Sequence, residues 1–451
     1  MNELHRQGDS LARYEVAGIT AFFVLAGLFG IWVEVHSAFQ PVRHTDLADF
    51  LRAGWAVRTG NDPYQIVEEH GWHYNFPPLF AIALVPLADP PRGANQARMV
   101  PFPVSVALWY LLSLVLLGAA AHLMAGVLEK SSGHGGAIRA SPCRRDWWRL
   151  RLLPIIVCIA PIGFTLSRGQ VNLLLLFLLC AMIAAIIARR SGLAGLSLAA
   201  AACVKVFPLY LAIYPLWRRD WRFLGGLTAG LLLGLIVIPI AVFGVQRTTA
   251  YYAELNRAVF EPAIVGGTDR SRATELIDPS ATDSQSFQTI IHNTIAWREQ
   301  FTVKRRLRSH YISPSVRVAH WAIVALLTII TLAAARGQKE DNEFVQIALL
   351  STLMIVMLLA SPVCHLHYFA MALPLVAVLC EAGANDRAGY VGRRFAWLLA
   401  AYFVLNALPL FPGLEILHDF GMGMYAALAL WFAGVTVLAR SPRPMPSALP
   451  A

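Results

Sequence analysis

The chain has 451 residues, 57% of them hydrophobic and only 14% charged, with a mean hydropathy of +0.56. Soluble domains carry about 25% charged residues, so this composition excludes them and describes a polytopic membrane protein. The formal net charge of +10 comes with arginines packed into short connections between apolar runs. That is the positive-inside pattern, and with no stripe of aromatics and basics beside it, no nucleic-acid partner is expected.

Met1 to Tyr14 carries charges of both signs, and the apolar run after it, 16 to 34, lacks a small-residue cleavage site. A retained first helix is expected rather than a removed signal peptide. Further runs long enough, or nearly so, to cross about 30 Å of hydrocarbon cover 104 to 127, 152 to 167, 171 to 188, 222 to 244, 318 to 335, 344 to 361, 366 to 380, 395 to 411 and 420 to 440. Lys130, Arg139, Arg144, Arg145, Arg149 and Arg151 crowd one connection, Arg189 and Arg190 another, and Arg218, Arg219 and Arg222 a third. These loops, and with them both termini, are expected in the cytoplasm. Cys158, Cys180, Cys203 and Cys380 lie in apolar runs with no CxxC or zinc spacing, and read as small core residues.

Two stretches are not simple crossings. Pro78 to Ala88 is about half a span. Gly192 to Trp217 lies between two basic loops with room for one full helix, so either it enters and returns, with its apex at Cys203 to Pro208, or one basic loop is misassigned, or two short helices cross a thin region. The expected architecture is therefore an all-α polytopic bundle of about 10 to 13 helices, short or re-entrant ones included, forming a single membrane domain over 1–451. On this parity the external side holds a first loop at 35–77, the turn Ser167 to Gln170, a long loop at 245–317 and the turn Ser361 to His367.

The polar motifs collect on that external side. Asp46 and Asp49 are three residues apart, so on a short helix they share a face, and either can take a proton from a hydroxyl; capping or solvating a helix start is the plainer use of such a residue. Tyr64 closes Gly60-Asn61-Asp62-Pro63-Tyr64, which is good turn chemistry in itself. Gln170 and Asn172 begin a helix beside Arg168, where amides can bond sugar hydroxyls or phosphate oxygens, or simply cap the helix. Lys205 is an ammonium near membrane depth and requires an anionic partner, either a lipid phosphate or an internal carboxylate. Gln285 and Ser286 are followed by His292 in the long loop, and His365 and His367 stand two apart. That spacing does not suit one helix face for chelation, so no metal is expected, and a histidine donating to a phosphate or hydroxyl is the better use.

Taken in order, Asp-Leu-x-x-Phe, Gly-x-Asp-x-Tyr, Phe-Pro-Pro-Leu-Phe, Gly-Gln-Val-Asn, Lys-Val-x-Pro, Ser-Gln-Ser-Phe and Ser-Pro-Val-x-x-x-His resemble glycosyltransferase family 87 of the GT-C membrane superfamily, from about residue 44 to 380. The resemblance puts the family's essential aspartate on Asp46 rather than Asp49. Of its paired histidines after Ser-Pro, His367 matches the first, Tyr368 stands at the second, and His365 replaces an aromatic. Ser284-Gln285-Ser286 stands for Asn-Gln-Ser, and His292 for a usual arginine.

What the resemblance implies is a polyprenyl-phosphate sugar donor, with mannose as the expected sugar, and a lipid or glycan hydroxyl as acceptor. Asp46 would act as general base in an inverting transfer, with the donor phosphate near Lys205, His367 and Arg168. Asp49, Tyr64, Gln170, Asn172, Gln285, Ser286, His292 and His365 would contact substrate. No cofactor is expected. The protein would sit among membrane lipids in a bacterial plasma membrane with an extracytoplasmic active site. The alternative is a polyprenyl-linked sugar flippase or another membrane transporter, which also needs intramembrane polar groups and a broken helix.

Overall fold

A computed structural model describes residues 2–40, 43, 45–67, 71–94, 98–131, 145–266, 272–276, 284–296, 311–336, 342–384, 390–414 and 416–440. Among them all regular structure is helical, apart from one isolated antiparallel bridge between Val67 and His73. Among the described residues seven helices are long and apolar enough to cross a membrane, or eight if the bent pair Trp148–Val157 and Ile159–Ser167 is one span. Two shorter apolar helices, Asn172–Ile187 and Ser191–Val204, run among them. The chain is an integral membrane protein with an all-helical, polytopic fold.

Burial sorts these helices into layers. Glu343–Ala360 and Leu366–Ala384 are apolar all round and have 83% and 89% of their apolar windows buried, so they form the centre. Val16–Ala38 is as apolar but only 6% buried, the mark of a helix whose partner is lipid. Buried hydroxyls within the bundle bond back to carbonyls four residues earlier, as Thr328, Thr331 and Thr352 do at 2.7 Å each.

Charge marks the two ends of the bundle. Lys130 meets Glu343 at 3.6 Å, Arg149 meets Glu381 at 3.6 Å and Arg151 meets Glu129 at 2.6 Å, which gathers one set of helix ends. Glu343–Ala360 has 18 residues, so Ala360 and Ser361 lie about 27 Å away at the other end.

The stretch from 192 to 217 runs out and back. An added Cβ at Gly226 would lie 2.2 Å from the Gly192 carbonyl, one at Gly195 2.6 Å from the Leu227 nitrogen, one at Gly230 2.5 Å from the Ala199 Cβ and one at Gly234 2.5 Å from the Cys203 sulfur. These contacts advance together along Ser191–Val204 and the helix from Trp221, so the two helices run parallel, packed on small residues. The chain between them must retrace the first helix. Fourteen residues of α-helix rise about 21 Å, and the 3-10 turn Phe207–Ala212 with the helix Ile213–Arg218 returns about as far. Lys205, in extended conformation between the two arms, is the apex.

Two sequence expectations change. The run 152 to 167 is not one straight helix, because it bends by 68° at Cys158. Pro154 lies inside the first arm and Pro161, lacking an N–H, cannot donate to the Val157 carbonyl in the ladder of the second. The second change is at 245–317, since helix does not end at 244 but continues to Ile264 past a break at Gly244 (φ 78°). Of the rest of that loop, Ala273–Leu276 and Phe287–Ile295 are helical and 311–313 leads into Pro314–Ala335.

Candidate active site

At the end of the bundle away from those three ion pairs lies a cavity of about 380 Å³. Asp46, Asp49, Arg168, Gln170, Lys205, His365 and His367 line it, with Ser361 to Val363 between the helices. Seven of the residues singled out from sequence thus meet on one surface, although they come from four separate segments of chain.

The position of Asp46 follows from a backbone contact. The Arg168 carbonyl accepts from the Asp46 N–H at 2.9 Å and from the Thr45 hydroxyl at 3.0 Å. This approach is possible because residue 169 is glycine. Its φ is +63°, and a Cβ there would sit 2.8 Å from both the Leu47 Cβ and the Thr45 Oγ1. Asp46 precedes the helix Leu47–Thr59, yet its side chain makes no capping bond. Its carboxylate instead accepts from the Gln170 side-chain amide and lines the cavity. Asp49 follows within the first helical turn and is 7% exposed.

Lys205 is held from three sides. Its Nζ donates to Gln170 Oε1 at 3.4 Å, lies 4.2 Å from the Tyr368 ring centroid and lies 5.2 Å from that of Phe76. Tyr368 in turn stacks on Phe207 at 5.3 Å. Aromatic faces attract the ammonium without neutralising it. Gln170 therefore links an acid and a cation, taking one with its NH2 and the other with its oxygen, and so its amide orientation is fixed.

The histidine turn is built from beneath. The His367 carbonyl accepts from Asn172 Nδ2 at 3.2 Å and Thr165 Oγ1 at 3.0 Å, and the rings of His365 and His367 stack at 5.3 Å. From the other side Ser284 Oγ accepts from the Cys364 N–H at 3.1 Å, the Cys364 carbonyl accepts from the Gln285 N–H at 2.5 Å, and Gln288 Nε2 donates to the Pro362 carbonyl at 2.9 Å. Cys364 itself is fully buried, which pushes its thiol pKa up and leaves it inert.

Five residues expected at substrate do not line the cavity. Tyr64 is fully buried, donates to the Phe76 carbonyl at 2.8 Å, and has its hydroxyl pKa raised by that burial. Asn172 is spent on the His367 carbonyl. Gln285 bonds the His418 carbonyl and the Gly423 N–H at 2.8 and 3.0 Å. Ser286 caps Phe287–Ile295 by accepting from the Thr289 N–H at 3.3 Å. His292 is 7% exposed on that same helix. In each case the polar side chain meets a backbone group or packs inside the loop, because these loop segments have no sheet ladder to satisfy them.

The cavity also has lining that sequence reading did not single out. Phe207, Tyr210, Phe260, Ile264, Trp321 and Met357 make an apolar wall, and Trp72, His73, Asn75 and Glu275 a polar margin. Glu275 and Trp321 belong to segments without a recognisable motif, so pattern alone gave no signal for them.

The profile of glycosyltransferase family 87 matches residues 72–362, well over half of the chain. The chain belongs to glycosyltransferase family 87. Among curated proteins it is 28% identical over 258 residues to GPI mannosyltransferase 1 of Neurospora crassa, covering 51% of each chain. It is 24% identical over 331 residues to the polyprenol-phosphate-mannose-dependent alpha-(1-2)-phosphatidylinositol pentamannoside mannosyltransferase of Mycobacterium tuberculosis, covering 72% of this chain and 62% of that one. The chain thus spans between half and two thirds of the length of these relatives. Among solved structures there is a looser likeness to ArnT from Cupriavidus metallidurans bound to undecaprenyl phosphate, with a TM-score of 0.37 and 15% identity over 93% of this chain and 78% of that one.

Proposed function

We propose that this protein is a membrane mannosyltransferase that moves a sugar from a polyprenyl-phosphate donor to an acceptor hydroxyl, with inversion, and that Asp46 is the general base. The observation that carries this reading is the pairing of Asp46 with Lys205 through Gln170. A helix-start carboxylate that caps nothing in its own helix and points into a cavity suits proton abstraction. A buried ammonium one side chain away suits the phosphate leaving group, whose charge grows as the glycosidic bond breaks. Arg168 and His367 line the same cavity and add to that stabilisation. The apolar wall suits the first isoprene units of such a donor, so one cavity accommodates both halves of an amphipathic substrate.

The chemistry needs no covalent intermediate. The acceptor oxygen attacks the anomeric carbon while its proton passes to Asp46, and the anomeric C–O bond breaks to leave polyprenyl phosphate. Family membership and the polyprenol-phosphate-mannose dependence named for the mycobacterial relative favour mannose. The concentration of arginines at one end favours an extracytoplasmic site, with both termini cytoplasmic, since Arg149, Arg151, Arg189, Arg190, Arg218 and Arg222 lie away from the cavity. Membranes containing the protein, incubated with radiolabelled polyprenyl-phosphate mannose, should form a labelled glycosidic product. Movement of the intact donor across the bilayer with no new glycoside would make the protein a flippase instead.

A further inference from the structure

The polar margin of the cavity is built differently from the Asp46 and Lys205 group. Its residues come from two external segments, 72–75 and 272–276, rather than from apolar helices. Glu275 is at the centre, with its side chain 7% exposed. Its carboxylate accepts from the His73 backbone N–H at 2.9 Å, from His73 Nδ1 at 2.7 Å and from Asn75 Nδ2 at 3.1 Å. An ionised carboxylate only accepts, so Nδ1 carries the proton and Nε2 of a neutral imidazole is left as an acceptor. The His73 side chain is 24% exposed and lines the cavity.

This cluster is more than the clasp between the two segments, because Arg272 already provides one. Arg272 is 3% exposed and donates to the Tyr74 carbonyl at 2.9 Å, the Asn75 Oδ1 at 2.9 Å and the Tyr64 carbonyl at 2.6 Å. Asn75 is thereby fixed at both ends of its amide, with Oδ1 on Arg272 and Nδ2 on Glu275. Beside it Trp72 is 41% exposed, a large flat apolar face at the mouth of a polar cluster. Phe76, next along the chain, is the ring that faces Lys205 at 5.2 Å, so the cluster adjoins the proposed reaction centre.

We propose that Trp72, His73, Asn75 and Glu275 form the acceptor subsite, and that the acceptor presents a hydroxylated six-membered ring, a hexose or a cyclitol, rather than a plain lipid alcohol or a peptide hydroxyl. Such a ring has an apolar C–H face, which an aromatic face covers, and a rim of hydroxyls, one of which meets the oriented imidazole, while the Asn75 amide, donating to both Glu275 and the His73 carbonyl, holds the segment in place. His73 Nε2 takes a hydroxyl proton in a hydrogen bond, and Glu275 holds the imidazole in that tautomer as a positioning residue. The donor sugar is not the occupant, since it must lie between Lys205 and Asp46, whereas this cluster belongs to the external segments where a glycan arrives from water. The inference rests on reading the cavity as a glycosyltransferase site.

The test uses the purified full chain in lipid nanodiscs, with methyl α-D-mannopyranoside and methyl α-mannobioside as probes by saturation-transfer NMR, and undecaprenyl phosphate binding measured on the same samples. We expect saturable transfer to at least one glycoside in the parent. Trp72→Ala and His73→Phe should weaken it at least tenfold, Trp72→Phe should keep most of it, and Glu275→Gln should weaken it at least threefold. Undecaprenyl phosphate binding within twofold of the parent in all four variants would show that they are folded. Absence of saturable transfer in the parent, or glycoside binding unchanged by Trp72→Ala and His73→Phe, would overturn the subsite and leave Trp72 as an interfacial anchor. If Lys205→Met binds undecaprenyl phosphate as the parent does while glycoside binding still depends on Trp72, the donor reading fails and the subsite stands.

Discussion

At the residue scale, the carbonyl of Arg168 determines where the Asp46 carboxylate can go, and Gly169 determines whether that carbonyl is reachable. Gly169→Ala adds a left-handed strain of about 1–2 kcal/mol and a Cβ only 2.8 Å from Thr45 and Leu47. We expect transfer to fall at least tenfold and thermal stability to drop. Gly60→Ala is the control, because Gly60 has a similar φ of +75° with nothing within 4 Å of an added Cβ; it should lower stability alone. Equal activity loss in the two variants would mean that the Gly169 contacts do not orient Asp46. Lys205 gives a second prediction at this scale. Lys205→Met keeps the stem and removes the charge, so the apparent donor KM should rise at least tenfold with little change in acceptor KM. Parent-like activity at limiting donor would reduce Lys205 to a helix-end anchor and pass the phosphate to His367.

At the element scale, the Ser361 to His367 turn is held between two supports, Thr165 and Asn172 on one side and Ser284 with Gln285 on the other. Gln285→Leu strands the His418 carbonyl and the Gly423 N–H in a buried site. Leaving buried groups unsatisfied costs about 1–3 kcal/mol each, so thermal unfolding should shift down while the donor and acceptor KM values change little. An unshifted unfolding curve with a raised KM would restore Gln285 to the substrate side. The motif was legible in sequence, but its direction was not. A polar tripeptide in a loop reads equally well as a sugar ligand or as a backbone clasp, and only the partners decide. The same holds for Tyr64 and Asn172, both fully buried against carbonyls. In contrast, Lys205 at the apex between two arms was readable, because two basic loops flank a stretch with room for one full helix and Pro208 cannot continue a regular helix. The apolar helices were legible, whereas the extension past Gly244 and the short helices Leu47–Thr59 and Phe287–Ile295 were not, since their polar residues resemble a loop and their helicity depends on packing.

At the scale of the whole molecule, the pairs Lys130–Glu343, Arg149–Glu381 and Arg151–Glu129 at one end and the cavity at the other define two ends that the clustering of arginines in sequence relates to the membrane. On a cysteine-free background, Gln65→Cys near the cavity end should react with an impermeant thiol reagent in intact cells, and Ala188→Cys beside Arg189 and Arg190 should react only after permeabilisation. Both positions are exposed, so access rather than burial decides the outcome. Reaction of Ala188→Cys from outside would invert the orientation and put the cavity in the cytoplasm.

The most direct measurement is the turnover of Asp46→Asn beside Asp49→Asn, with radiolabelled polyprenyl-phosphate mannose at saturating donor and acceptor. The asparagine at 46 keeps shape and loses the base, and removing a general base costs about 10² to 10⁴ in rate. We expect at least a hundredfold fall for Asp46→Asn with undecaprenyl phosphate binding retained, and a much smaller fall for Asp49→Asn. Equal losses in the two variants, or a loss confined to Asp49→Asn, would contradict Asp46 as the base.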